Sequence, residues 1–390
     1  MIEIRTKSDC CGCEACVQIC PKNCIDFDPD QQGFFYPKIK KEFCVDCGLC
    51  EKVCPVINKT TPSHNTHSTL YAVKSNNDAV REQSSSGGFF SLLAEFVLGK
   101  SGVVYGAAFD AEFNVYHVRV DNNIDIPKLR GSKYVQSRVE QTFRECKDDL
   151  NEGKLVLFTG TPCQISALGY FLRKEYDNLI KVEVVCHGVP SPMIYQQYLK
   201  ETVIKDAVDR TITQVNFRRK LGSWKNYYFN IEYEDCGDIC EYKECVTDSL
   251  YMKGFLSDLY VRPSCFECPA KNFTSRADFT IADFWGQEYT FPEFDDDRGV
   301  SAVFVNTLKA KGIFNQLSAV VVEKNFEDFI RYNPSLVSSP RKSLLYFRFW
   351  NLYLESNNLR NSIEGAFHVG LILRVLFKVK MKFAKLFRVN

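Results

Sequence analysis

The chain has 390 residues, 45% of them hydrophobic, with 49 Lys and Arg against 48 Asp and Glu. That length can bury a large core and implies two or three domains, while a net charge of +1 excludes the strong basic field of a nucleic-acid binder. Eighteen cysteines, a start ("MIEIRTKSDC") without an apolar signal core and no run of about 18 apolar residues point to a reducing cytoplasm, where thiols bind metal or do redox chemistry.

Ten of the cysteines lie between Cys10 and Cys54. "CCGCEACVQICP" holds Cys10, Cys13, Cys16 and Cys20 ahead of Pro21. "CVDCGLCEKVCP" holds Cys44, Cys47, Cys50 and Cys54 ahead of Pro55. This C-x2-C-x2-C-x3-C-P run, present twice, is the two-cluster ferredoxin spacing. Three thiolates of one tight turn grip one [4Fe–4S] cube and the fourth points to the other. The spacing therefore assigns Cys10, Cys13, Cys16 and Cys54 to one cluster and Cys44, Cys47, Cys50 and Cys20 to the second. Zinc favours two C-x-x-C pairs over two runs of four. Cys11 and Cys24 fall outside the pattern and read as small buried apolar residues beside the clusters.

"KTTPSHNTHST" follows as a polar linker, residues 59–69, closing a 1–58 ferredoxin domain. Beyond it "TLYAVKS", "GVVYGAAFD", "KLVLFTG", "KVEVVCHG", "TQVNFR", "YFNIEY", "FTIADFW" and "VSAVFVN" read as strands. "GGFFSLLAEFVLGK", "VEQTFRECKDDLNEG" and "CQISALGYFLRKEY" read as helices. The alternation implies an α/β domain with a largely parallel sheet, mixed at one edge, in two parts, 70–150 and 151–340.

Cys163 sits where a strand turns into a helix ("FTGTPCQISAL"), and Cys186 ends another strand ("VEVVCHGVP"). Strand ends of a parallel sheet share one edge, so these two can meet the lone C-x-x-C of "SCFECPAKN", Cys265 and Cys268. On spacing alone the four form a third cube, a zinc site or unlinked thiols. Residues 84–88, "SSSGG", offer a phosphate cradle or a plain flexible helix start. "RGSKYVQS" offers a guanidinium, an ammonium and an aromatic ring, or a solvated loop. Cys236, Cys240 and Cys245 fit no cluster motif and read as unliganded.

"SSSGGFFSLLAEFVLGKSGVVYGAAFD", "LRGSKYVQS", "FTGTPCQISAL", "VCHGVPSP", "FRRKLGSW" and "RPSCFECPAKNFTSRADFTIADFWG" follow in order. As an ordered set, over roughly residues 1–310, they resemble the family of coenzyme F420 hydrogenase/dehydrogenase beta subunits, in which a ferredoxin domain fused in front is common. The resemblance implies an α+β ferredoxin-like domain followed by an α/β flavin-binding domain with a mixed sheet. It implies a third [4Fe–4S] cluster on Cys163, Cys186, Cys265 and Cys268, beside FAD, with FMN as an alternative. Flavin contacts are expected at Ser86, Gly87, Gly88, Ser132, Lys133 and Tyr134. His187 is the candidate general acid, or else a hydrogen bond behind the cluster. Arg276, Asp278, Asp283 and Trp285 read as structural, Arg276 being the best placed of them for an anion.

A flavin joins two-electron hydride carriers to one-electron clusters. The expected function is thus an iron–sulfur flavoprotein oxidoreductase exchanging electrons with coenzyme F420 or another small hydride carrier, and with a redox partner protein. The alternatives are a non-catalytic electron-transfer subunit, or a reductase in cell-surface polysaccharide synthesis. From about residue 341 the chain reads as a helical tail. There Arg374, Lys378, Lys382, Lys385 and Arg388 share a face opposite Leu and Phe, which suits peripheral contact with the inner membrane face, or packing on its own domain or on a partner.

Overall fold

The computed structural model describes residues 1–59, 68–204 and 210–368. Most of the linker and the basic tail from residue 369 onward lie outside these. None of the described helices is long and apolar enough to cross a membrane.

The N-terminal lobe is a hairpin of β1 (Ile25–Pro29) and β2 (Phe35–Ile39) beside two one-turn helices, Ala15–Ile19 and Leu49–Lys52. Next come β3 (Thr69–Ser75), β4 (Val103–Phe109), β5 (Val115–Val120), β6 (Val156–Gly160) and β7 (Leu179–Val184). They are followed by β8 (Thr211–Arg219), β9 (Tyr228–Asp235), β10 (Asp238–Cys245), β11 (Phe279–Asp283), β12 (Ser301–Val305) and β13 (Ala319–Lys324). The large sheet has the order β13-β3-β12-β11-β7-β6-β4-β5. Its centre, β11-β7-β6-β4, is parallel, and both flanks are antiparallel. The mixed character expected at one edge thus occurs at both.

All eight expected strands form. β5 and β13 lie outside the expectation: His117 and Arg119 interrupt the apolar run of β5, and β13 is a half-exposed edge strand ending in Glu323 and Lys324. The helix Phe89–Leu98 buries Phe89, Leu93, Ala94 and Val97 against the sheet, at helical spacing.

A second sheet, β10-β9-β8, packs on the helices Pro192–Leu199, Leu250–Leu256, Leu344–Ser356 and Leu359–Phe367. Their shared core is aromatic, with Tyr195, Phe217, Tyr251, Tyr260 and Phe349. Phe34 and Tyr36 of the N-terminal lobe belong to this same core. Glu14 fastens the lobe elsewhere: it is buried and accepts from Arg138 Nε at 2.7 Å, Arg138 Nη2 at 3.0 Å and the Val139 N–H at 3.0 Å.

Candidate functional site

The N-terminal thiols fall into two adjoining sets. Cys20, Cys44, Cys47 and Cys50 line one recess with Val45 and Leu49. Cys24 lines it too, its Sγ 3.5 Å from Cys20 Sγ, and the Ile2 N–H donates to Cys50 Sγ at 3.4 Å. In the second set, burial and then Cys10 and Cys54 push Cys16 well above the ordinary thiol range. Against a lowering hydrogen bond from Cys11, Cys13 rises through burial, Cys16 and Cys54.

A third set forms at the C-terminal edge of the parallel strands. After β6, Thr161 and Gln164 form a capping box and Pro162 opens the helix Pro162–Leu172, which fixes Cys163 at the sheet edge. Cys186 follows β7. Cys265 lies in the short turn Pro263–Glu267, which ends at Cys268. Burial lifts Cys186 to about 12, with Lys271 opposing and Cys163 and Cys268 adding. Burial, Cys186 and Cys268 likewise raise Cys265, and burial and Cys163 lift Cys268 to about 11.

These sets suit iron–sulfur cubes. Crowded, buried thiols resist ionisation, and a cationic core relieves that, since coordinated thiols are deprotonated outright. Among the described residues no group of His, Cys, Asp or Glu meets the spacing of a lone metal ion. Cys20, Cys44, Cys47 and Cys50 instead ring a recess, as a multi-iron cube with one thiolate per iron requires.

The same sheet edge opens into a large cavity, about 2420 Å³ of empty space open to solvent. Cys163, Cys186 and His187 line one part of it. Ser84–Ser86, Gly88 and residues 129–137 line another, and Trp285, Tyr227 and Arg218 a third. Of the expected flavin contacts, Ser86, Gly88, Ser132, Lys133 and Tyr134 are on its wall. Gly87 is not: it is buried between β3 and β12, donating to Ser301 Oγ at 3.0 Å and accepting from the Ser75 N–H at 2.7 Å. A Cβ there would meet the Val73 carbonyl oxygen at 2.2 Å, so Gly87 serves the close approach of the loop to the sheet.

Residues 153–327 match the family described as the C terminus of the beta subunit of coenzyme F420 hydrogenase/dehydrogenase, and residues 9–58 match a "4Fe-4S dicluster domain". Residues 153–327 thus carry the C-terminal region of the coenzyme F420 hydrogenase/dehydrogenase beta-subunit family. The N-terminal lobe is a ferredoxin-type iron–sulfur domain.

The chain is similar to the F subunit of the F(420)H(2) dehydrogenase of Methanosarcina mazei, 22% identical over 55% of this chain and 65% of that protein. A 7Fe ferredoxin of Hydrogenibacillus schlegelii is 48% identical over 11% of this chain and 47% of that protein. The chain thus spans less than two thirds of these relatives' lengths. The F420-reducing [NiFe] hydrogenase complex of Methanosarcina barkeri contains a chain that aligns with 79% of this one, and 93% of itself, at 16% identity and a TM-score of 0.45.

His187 lines the cavity but its Nε2 is paired with Asp258 Oδ1 at 2.7 Å, and its ring packs edge-on against Phe255. Arg276 is exposed and off the cavity wall: its backbone takes the left-handed turn into β11. Among the charged side chains that do line the cavity is Arg218, paired with Asp283 and packed on the Tyr227 ring at 4.2 Å. Asp278 is structural, accepting from the Lys181 N–H at 2.9 Å and Thr307 Oγ1 at 2.9 Å.

Several site residues have no sequence signature. His117 of β5 lines the cavity, its ring held between the Thr159 carbonyl at 2.9 Å and Ser137 Oγ at 3.1 Å. Burial lowers its pKa to about 4 and keeps it neutral. Gln164 Nε2 donates to Ser137 Oγ at 3.0 Å, which extends this chain of hydrogen bonds to the residue beside Cys163. Lys271 Nζ bonds the Cys186 carbonyl and the Ser335 carbonyl, the latter at 2.6 Å, and so places an ammonium beside the third thiol set. Desolvation lowers Lys133 to about 7.

Proposed function

We propose that the chain is an iron–sulfur flavoprotein with three [4Fe–4S] clusters, exchanging electrons between a hydride carrier and a protein partner. The observation that carries this reading is the grouping of Cys163, Cys186, Cys265 and Cys268, the first two on the wall of a cavity also lined by Ser84–Ser86, Gly88 and residues 129–137. Cys10, Cys13, Cys16 and Cys54 hold the inner ferredoxin cluster, and Cys20, Cys44, Cys47 and Cys50 the outer one.

The cavity wall supports a flavin, because it offers both an anion cradle and aromatic surface. Ser86, Gly88, Ser132 and Lys133 face the phosphates, while Tyr134 and Trp285 offer ring surface. Bound there, the flavin supplies the exchange between paired and single electrons. His187, held by Asp258, stands beside Cys186 as the group that orients or protonates substrate.

The hydride carrier is a small molecule of the coenzyme F420 class, by analogy with the Methanosarcina mazei relative. The partner meets the ferredoxin lobe, where Phe43 and Val45, 61% and 58% exposed, flank Cys44. That exposed apolar surface also favours a second reading, in which the chain relays electrons within a larger complex and needs its partner for net chemistry.

Iron and flavin measured in one sample of anaerobically purified protein test the proposal. About twelve irons with about one flavin per chain is the expected result. About eight irons without flavin would remove the third cluster and the cavity assignment together.

A further inference from the structure

Between the first and third thiol sets lies a buried guanidinium. Arg262 is 0% exposed. Its Nε donates to the Cys10 carbonyl at 2.7 Å, and its Nη2 to the Phe35 carbonyl at 2.8 Å, with Cys10 Sγ at 3.5 Å. Its own carbonyl accepts the Cys265 N–H at 2.9 Å, and its N–H donates to the Val189 carbonyl at 2.9 Å. One residue therefore touches a thiol of the first set and the backbone of the third.

Gln136 completes the link. Its Oε1 accepts from Arg262 Nη1 at 3.0 Å and its Nε2 donates to the Cys11 carbonyl at 3.2 Å. The Cys11 thiol contacts both Cys13 and Cys163. Gly12, at φ +74, makes the approach possible: a Cβ would lie 2.3 Å from Gln136 Nε2 and 2.8 Å from Arg262 Nη1. Arg262 and Tyr36 pack 4.4 Å apart, so the charge is walled by an aromatic ring. Among the described residues no carboxylate hydrogen-bonds to it, so no neighbouring carboxylate compensates its charge.

We infer that Arg262 is a positioning residue that sets the potentials of the inner two clusters above that of the outer one. The inference rests on the three-cluster reading above. Cluster potentials follow net charge, burial and hydrogen bonds to sulfur. Reduction adds one electron to a cluster, and a fixed positive charge beside it favours the reduced form. Arg262 stands at the Cys10 and Cys265 sites, whereas the Cys20/Cys44/Cys47/Cys50 recess is lined by neither Arg262 nor Gln136. Electrons supplied by a hydride donor would then collect on the inner pair until a partner docks.

EPR-monitored reductive titration of the full chain with dithionite tests this, the outer signal being assigned by its loss in Cys47→Ser. Arg262→Gln is expected to lower both inner midpoints by at least about tenfold in the reduction equilibrium, 59 mV for a one-electron couple, and to move the outer one far less. Arg262→Lys, which keeps the charge, should stay near wild type. Gln136→Glu leaves Arg262 in place and compensates its charge, so it should lower the same two midpoints in a chain with full iron. Three clusters whose inner midpoints are unmoved in Arg262→Gln and Gln136→Glu would overturn the inference. Fewer than three clusters in the wild type would overturn the underlying reading instead.

Discussion

Trp224 and Trp285 stack with ring centroids 4.5 Å apart and planes inclined by 15°. Trp224 Nε1 also donates to the Ser85 carbonyl at 2.9 Å. The pair therefore ties the turn after β8 and the end of β11 to the Ser-Gly loop. Trp224→Phe keeps the buried ring and removes the N–H donor, at an expected cost of about 1 kcal/mol in denaturant unfolding. Iron content should be unchanged and flavin retention on gel filtration should fall, because the loop loses its anchor.

Lys133 carries a pH dependence. Desolvation lowers its pKa to about 7, so in the empty protein it is charged below that pH and increasingly neutral above it. An anionic phosphate beside it favours the charged form, and binding takes up a proton above pH 7. Flavin affinity, measured by fluorescence quenching from pH 6 to 9, should weaken as pH rises. Lys133→Gln should bind more weakly at pH 6 and show a flatter profile. For folding the sign is also set: the folded state disfavours the charged amine, so this residue adds stability as pH climbs from about 7 towards 10.5.

The crossed ligand sets make a prediction about pairs. Cys20→Ser and Cys47→Ser act on one proposed cluster, so either alone should lose about four irons and the double variant no more. Cys20→Ser combined with Cys54→Ser should lose about eight. Uncrossed ligation would make the Cys20 and Cys47 losses additive, which iron analysis of the three proteins would reveal.

Two glycine substitutions should act in opposite directions. Gly87→Ala places a Cβ 2.2 Å from the Val73 carbonyl oxygen and 2.6 Å from the Ser301 nitrogen, and should cost about 3 kcal/mol or more through overpacking. Gly169 lies within the helix Pro162–Leu172 with nothing within 4 Å of an added Cβ. Gly169→Ala should raise stability by up to about 1 kcal/mol. Thermal unfolding of the two variants checks both.

The cysteine sets were legible because metal ligation by thiols demands fixed short spacings, and "CCGCEACVQICP" and "CVDCGLCEKVCP" carry theirs locally. The nearness of Cys163 and Cys186 followed from strand ends sharing one edge, whereas the C-x-x-C joined them only through the family resemblance. Arg262 and Gln136 were not legible. Their roles arise from contacts between segments far apart in the chain, and no local pattern marks a side chain whose partners are the carbonyl groups of Cys10 and Cys11. Arg276 shows the converse. Its proximity to the C-x-x-C in sequence suggested an anion contact, yet the turn into β11 directs it to solvent while Arg218, from another sheet, takes the cavity.

Phe34 and Tyr36 share a core with Tyr346 and Phe349, and Tyr346 Oη donates to Gln32 Oε1 at 3.0 Å. During synthesis the N-terminal lobe leaves the ribosome well before the helix Leu344–Ser356 that covers its hairpin is made. At 5–20 residues per second the interval is roughly 15–60 s. For that time the ten cysteines of the lobe stand on an incompletely buried scaffold. Slow codons before residue 344 should lengthen that interval and lower the yield of iron-loaded protein.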